Sequence, residues 1–138
     1  MTTPLEMTLR EVVAMAQGMV VMDGEVRLGF IASSAEAARC TGFAVAKRLT
    51  PFAVTWHPAR QQVRWPSGAV MTFLSVNEDR LRGYNWAAAF LSAPANATAT
   101  PGVLEQVKRI VRLPGAGVIL CAEVRNRGHL EDLLQQAA

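Results

Sequence analysis

The stretch WPSGAVMTFLSVNEDRLRGYNWAAAFLSAPA (residues 65–95) decides the fold of this chain, because strand-like segments alternate there with turns. Residues 66–68 separate QQVRW from AVMTFLS, and this pattern predicts a β-hairpin. Residues 77–84 are predicted to form a loop that leads into residues 86–91. That continuous apolar run is typical of a strand buried on both faces, as in a parallel sheet.

Upstream of this stretch, the pattern predicts alternating helices and strands. Residues 4–22 repeat apolar side chains every three or four positions, which predicts a helix capped by Thr3, with Pro4 at its first position and Glu6 completing a capping box. Residues 26–32 are predicted to be a buried strand, and Ser34 caps a helix over residues 35–49. Residues 52–57 are predicted to form an edge strand.

Downstream, residues 92–102 are small and rich in turn-forming types, so a surface loop is predicted. Thr100 caps a predicted helix over residues 101–111. A buried strand over 117–122 and an amphipathic helix over 128–136 follow. The sequence therefore predicts one domain spanning residues 1–138, a three-layer α/β fold with a mostly parallel central sheet and a β-hairpin.

Composition restricts the class of protein. The chain has 138 residues, of which 51% are hydrophobic, so it can bury a continuous core. No apolar run approaches the ~20 residues that span a bilayer, and the N-terminus lacks the basic start of a secretory signal, so a soluble cytoplasmic protein is predicted. Cys40 and Cys121 match no metal-ligand spacing and are predicted to be core thiols. We expect no cofactor and no metal.

The net charge of +3 is unevenly distributed, because no acidic residue lies between Glu36 and Glu78. The cations of that interval are Arg39, Lys47, Arg48, Arg60 and Arg64. Such a surface suits a phosphate backbone or an acidic protein, or it is simply a solvated face. Trp65, beside Arg64, either stacks on a nucleobase or packs in the core. His57 and His129 are isolated and are assigned no chemistry.

The order of these elements resembles the middle of the ATPase domain of viral terminase large subunits, the motors that package DNA into phage heads. In that family a Pro-Ser/Asn-Gly-Ser-x-Ile hairpin precedes Leu-Arg-Gly and then an apolar strand ending in Asp-Glu. This chain has Pro66-Ser67-Gly68, then Leu81-Arg82-Gly83, then the strand that ends at Leu91-Ser92. The resemblance implies a P-loop-NTPase-like core, and it implies that Arg82 contacts phosphate or a partner, unless Arg82 only pairs with Glu78 or Asp79 and braces its loop. Arg80 of the same loop is a further candidate binding residue.

The chemistry of the family is missing from its expected positions. Ser92 stands where the Mg²⁺-binding acids are expected. No G-x-x-x-x-G-K-[ST] loop is present, and Gly42 and Lys47 lie inside a predicted helix. Cys121-Ala122-Glu123 replaces the Ser/Thr-rich coupling motif. The resemblance therefore implies a P-loop-like fold without the P-loop, and we predict no ATPase activity.

Four hypotheses follow for function. The first is a non-catalytic, terminase-like binding or adaptor module of a phage, prophage or gene transfer agent, with packaging or head proteins, and possibly DNA, as partners. The second is a stand-alone nucleic-acid-binding protein that uses the arginine-rich surface. The third is a remnant that folds only by dimerising through a sheet edge. The fourth, an enzyme of unrelated chemistry, has no supporting residue pattern.

Overall fold

The structure is a computed structural model that describes residues 6–76, 84–111 and 117–136. The strands are β1 (Arg27–Ala32), β2 (Thr55–His57), β3 (Gln62–Arg64), β4 (Val70–Ser75), β5 (Ala88–Ser92) and β6 (Val118–Cys121). The helices are α1 (Leu9–Met22), α2 (Ala35–Arg48), α3 (Ala93–Thr98), α4 (Pro101–Ile110) and α5 (Arg127–Gln136). None of these helices is long and apolar enough to cross a membrane.

The strands form one mixed sheet in the order β2-β3-β4-β1-β5-β6. The four strands β4, β1, β5 and β6 run parallel, and β3 is antiparallel to both β2 and β4. The predicted α/β class with a mostly parallel sheet is confirmed. So are the hairpin that turns at residues 66–68 and the placement of β2 at an edge.

Helix α1 begins later than the sequence predicted. Thr8 is its N-cap: its hydroxyl accepts the Glu11 N–H at 3.2 Å, and the Glu11 carboxylate accepts the Thr8 N–H at 3.0 Å. Hydrogen bonding of the Glu11 carboxylate to the Thr8 backbone N–H, and secondly to the Thr8 side chain, lowers the pKa of Glu11. Before the cap the chain is extended, since the Met7 N–H donates to Leu120 O at 3.0 Å and Met7 O accepts the Ala122 N–H at 2.9 Å. The predicted start at residue 4 is therefore wrong, while Thr3 and Pro4 themselves lie outside the described residues.

Two further predictions need correction. Residues 92–102 were expected to be a loop, but α3 occupies most of this segment. The Ser92 hydroxyl caps α3 by accepting the Ala95 N–H at 3.1 Å, and Pro94 sits in the first turn, where its missing N–H does no harm. The strand β6 is half-buried for most of its length rather than fully buried, because it lies at the edge of the sheet.

Helices cover both faces of the sheet, because successive strand residues point to opposite sides. Phe30, Phe73 and Phe90 face α1, α2 and α5, and Phe30 stacks on Phe73 with ring centroids 5.4 Å apart. Ile31 and Leu91 face α3 and α4. Both cysteines are buried free thiols, as predicted, and burial raises the pKa of Cys121 to about 12.

Candidate nucleic-acid interface

Part of the sheet face opposite α2 carries polar side chains instead of an apolar core. Arg64 of β3 pairs with Val70 of β4, and Val70 pairs with Arg27 of β1. Residues paired across neighbouring strands point to the same side of a sheet. Gln62 and Thr72, one pair further along the hairpin, share that side. Arginine and amide groups from β1 and β3 and a hydroxyl group from β4 therefore meet on one face.

These side chains surround a cleft of about 290 Å³, which we call the arginine cleft. Its polar lining comes from Arg27, Arg60, Gln62, Arg64, Thr72, Tyr84 and Asn85. Among the described residues, the only ion pairs are Glu105–Lys108 and Arg127–Glu131 on the surfaces of α4 and α5. The three guanidinium groups of the cleft therefore have no carboxylate partner within the described chain.

A neutral amide holds the guanidinium of Arg64 in place. Its Nε and Nη2 donate to Gln62 Oε1 at 3.1 and 2.8 Å, and Gln62 Nε2 donates in turn to Thr72 Oγ1 at 3.3 Å. An amide orients a guanidinium without neutralising it, and the group still has N–H donors to spare. This arrangement suits Arg64 to binding an anion such as phosphate.

One wall of the cleft is aromatic. The Tyr84 and Trp86 rings lie 5.0 Å apart between centroids, at 34°. Trp86 is buried against Gly29, where a Cβ atom would come within 2.0 Å of the indole ring. Tyr84, held against this fixed indole, is half-buried beside the arginines. Aromatic rings in a cationic groove are the surfaces on which single-stranded bases stack.

The structure divides the predicted cationic surface. Arg60 and Arg64 reach the arginine cleft, whereas Arg39, Lys47 and Arg48 belong to α2 on the other face of the sheet. These cations therefore form two separate groups, and their part in binding stays a prediction. Arg80 and Arg82 lie outside the described residues.

Trp65 does not serve as a stacking surface. It is 5% exposed, and its indole N–H donates to Gln17 Oε1 of α1 at 2.8 Å. The alternative prediction, core packing, is the correct one. Trp86 is likewise a core residue, as predicted.

Sequence reasoning missed Arg27, Gln62 and Tyr84. The pattern contained a signal for Gln62, since it alternates with Val63 in a hairpin whose turn fixes the register. Arg27 and Tyr84 gave no comparable signal. Their place in the cleft depends on the pairing of β1 with β4 and on the position of β5, which are contacts between distant parts of the chain.

A second polar cluster lies where the carboxyl ends of β1, β5 and β6 meet. The Ser33 N–H and O–H donate to the two carboxylate oxygens of Glu123 at 2.9 and 2.5 Å. The Ser92 hydroxyl also donates to Glu123, which is 7% exposed. We call Ser33, Ser92 and Glu123 the switch-point cluster, because the connections that leave β1 and β5 run in opposite directions.

Ligands of open α/β sheets bind at such a switch point. In this chain the Glu123 carboxylate lies at the switch point. The Ser33 N–H and the hydroxyl groups of Ser33 and Ser92 all donate to it. Val124, which follows Glu123, is also held in place, because its N–H donates to the Thr41 hydroxyl of α2 at 2.9 Å. Within the part of the chain that the structure describes, no three His, Cys, Asp or Glu side chains gather as metal ligands do.

Three positions compared with the terminase family carry none of its catalytic groups, as expected from the sequence. Gly42 and Lys47 both lie within α2, so they form no phosphate-binding loop, and Ser92 ends β5 at the position where the resemblance expects acids. Comparison of the chain with protein-family models, with curated proteins and with solved structures finds no match.

Proposed function

We propose that this protein is a non-catalytic binding module that holds nucleic acid through the phosphates of its backbone, using the arginine cleft. The observation that carries the proposal is the convergence of Arg27, Arg60 and Arg64 on one sheet face, without a carboxylate partner among the described residues. Tyr84 adds an aromatic ring beside them, which favours unpaired bases.

Salt dependence of binding is the direct test. Fluorescence anisotropy with a labelled single strand and a labelled duplex of the same sequence would be measured between about 50 and about 200 mM salt. Three phosphate contacts predict a fall in affinity of about 20-fold for the single strand and about 40-fold for the duplex over this range. An affinity that does not change with salt would exclude phosphate recognition by the cleft.

Two double variants with equal charge loss locate the binding surface. Arg60→Ala with Arg64→Ala removes two cations from the cleft, while Arg39→Ala with Lys47→Ala removes two from α2. We expect the first pair to reduce the salt slope by about 2 and the second to leave it unchanged. Equal losses in both variants would mean that binding is spread over the surface and would contradict the proposal.

We further propose that the module works beside the DNA-packaging or head-assembly proteins of a phage, prophage or gene transfer agent, as a pseudo-ATPase with a P-loop-like fold. Support comes from the order of elements that resembles terminase ATPases, together with the lack of catalytic groups at the expected positions. The switch-point cluster occupies the crevice in which a nucleotide would be expected. Capsid and portal genes beside the gene for this chain would favour this setting.

The absence of hydrolysis is testable on its own. A malachite-green assay with Mg·ATP, with and without DNA, should detect no phosphate release, because the phosphate loop and the metal-binding acids each account for orders of magnitude in rate. Hydrolysis that disappears in the Glu123→Gln variant would overturn the pseudo-ATPase proposal. Such hydrolysis would not affect the nucleic-acid-binding proposal, which the salt titration tests independently.

A further inference from the structure

A groove of about 370 Å³ lies on the other face of the sheet, between α2, α5 and the end of β2. Its interior is mostly apolar and includes Cys40, Phe43, Trp56 and Leu130. The volume falls within the lower range of small-molecule sites. We call it the aromatic groove.

The Trp56 wall of the groove is fixed by close packing. Trp56 lies over Gly42 of α2, where a Cβ atom would come within 2.4 Å of the indole ring. The same ring meets Phe73 edge-on, with centroids 6.0 Å apart at 75°. Trp56 nevertheless remains half-buried and not fully covered. The groove therefore presents an aromatic surface that needs no rearrangement before binding.

The mouth of the groove is cationic. Arg39 and Arg127 line the groove and are exposed, and Glu36 is the one acid among the described residues of its lining. Arg127 approaches Glu131 only at 3.9 Å, with both side chains largely exposed, so this pair neutralises the guanidinium weakly. Burial and the Glu36 charge raise the pKa of Cys40, whereas Arg39 and Arg127 act in the opposite direction. The described lining of the groove thus carries two cations and one acid.

We propose that the aromatic groove binds a small planar aromatic carboxylate. Its ring would lie against Trp56 and Phe43, and its carboxylate would meet Arg39 and Arg127 at the mouth. An apolar interior with two cations at one end favours a ligand that is apolar at one end and anionic at the other. This site is separate from the arginine cleft, which lies on the opposite face.

The test uses 2-naphthoate as the probe and heteronuclear NMR of the full chain as the readout. Three indole N–H signals are expected, one for each tryptophan, and the Trp56→Phe variant assigns the informative one. The Trp65 and Trp86 indoles are buried and serve as internal references. We expect saturable movement of the Trp56 signal with a Kd at or below about 1 mM, while the other two stay in place. No movement of Trp56, or equal movement of all three, would overturn the proposal.

Charge recognition has its own controls. The double variant Arg39→Gln with Arg127→Gln changes two exposed side chains and should weaken naphthoate binding by about tenfold or more. Arg10→Gln, on the exposed side of α1, should have no effect. The neutral alcohol 2-(hydroxymethyl)naphthalene should bind about tenfold less tightly than naphthoate. Equal affinity for acid and alcohol, or unchanged affinity in the double variant, would show that the groove does not recognise a carboxylate.

Discussion

The switch-point cluster and the arginine cleft are both polar regions of one sheet, yet they differ in how far hydrogen bonds and burial cover the charged group. In the cluster, the Glu123 carboxylate accepts bonds from Ser33 and Ser92 and lies buried. In the cleft, Arg64 is held by the neutral amide of Gln62. The usual ligand position of an α/β sheet is thus occupied by the chain itself, whereas the arginines of the cleft have no carboxylate partner among residues 6–76, 84–111 and 117–136. We therefore expect a ligand at the arginine cleft rather than at the switch point.

The largest effect should come from removing the centre of the switch-point cluster. Glu123→Ala leaves the Ser33 N–H and two hydroxyls without their acceptor, so we expect the free energy of unfolding to fall by about 3 kcal/mol. Urea unfolding followed by tryptophan fluorescence measures this loss. Glu25→Ala, an exposed glutamate, is the control and should change stability by less than about 0.5 kcal/mol. A loss below about 1 kcal/mol for Glu123→Ala would contradict a structural role for the cluster.

Ser92→Ala tests the same cluster from another strand. The Ser92 hydroxyl donates to Glu123 and also caps α3, so its removal should lower the free energy of unfolding by about 1.5 kcal/mol. DNA affinity, measured where the variant is folded, should be unchanged. The matched control is Ser67→Ala, at the exposed hairpin turn. If Ser92→Ala abolished DNA binding and left stability unchanged, the switch-point cluster would be a binding site, and its assignment as a structural cluster would be wrong.

Arg27→Ala tests the cleft residue that sequence reasoning missed. We expect about fivefold weaker DNA binding near physiological salt and a salt slope reduced by about 1, because one phosphate contact is lost. Stability should hardly change, since Arg27 is exposed. Arg10→Ala removes the same charge from α1 and should leave the slope as it is. An unaltered salt slope in Arg27→Ala would show that Arg27 of β1 makes no phosphate contact.

The smallest effect should come from Gln62→Ala, which removes no charge. Arg64 loses the acceptor that orients it, so affinity should fall by about twofold while the salt slope stays constant. Anisotropy titrations over the same salt range distinguish this result from the loss of an arginine. A reduced slope would show that Gln62 contributes more than orientation.

Much of the fold could be predicted from local pattern. The buried strand β1, the Ser34 cap of α2, the β3–β4 hairpin and the Thr100 cap of α4 depend on residues close together in sequence, and all four are confirmed. The start of α1 was mispredicted because Thr3 and Thr8 both suit a cap. The pairing of Met7 with β6, a contact between distant segments, decides between them.

The candidate site was less accessible to sequence reasoning. A charge count over residues 39–64 treats helix α2 and the hairpin as one surface, although a sheet separates them. Arg27 joins Arg60 and Arg64 only through the parallel pairing of β1 with β4. The switch-point cluster was equally hidden, since Ser33, Ser92 and Glu123 come together from three strands, and no spacing along the chain indicates that they meet.

The bridge between Met7 and β6 has a consequence for how the chain acquires its structure. It joins the first and last thirds of the protein, and contacts between such distant segments close late. During synthesis β1, β4 and β5 can pair before β6 has been made, while the segment ahead of α1 still lacks its neighbour. We therefore expect the segment around Met7 to join the sheet only after β6 has been made, so that an incomplete chain leaves the β5 edge of the sheet unpaired.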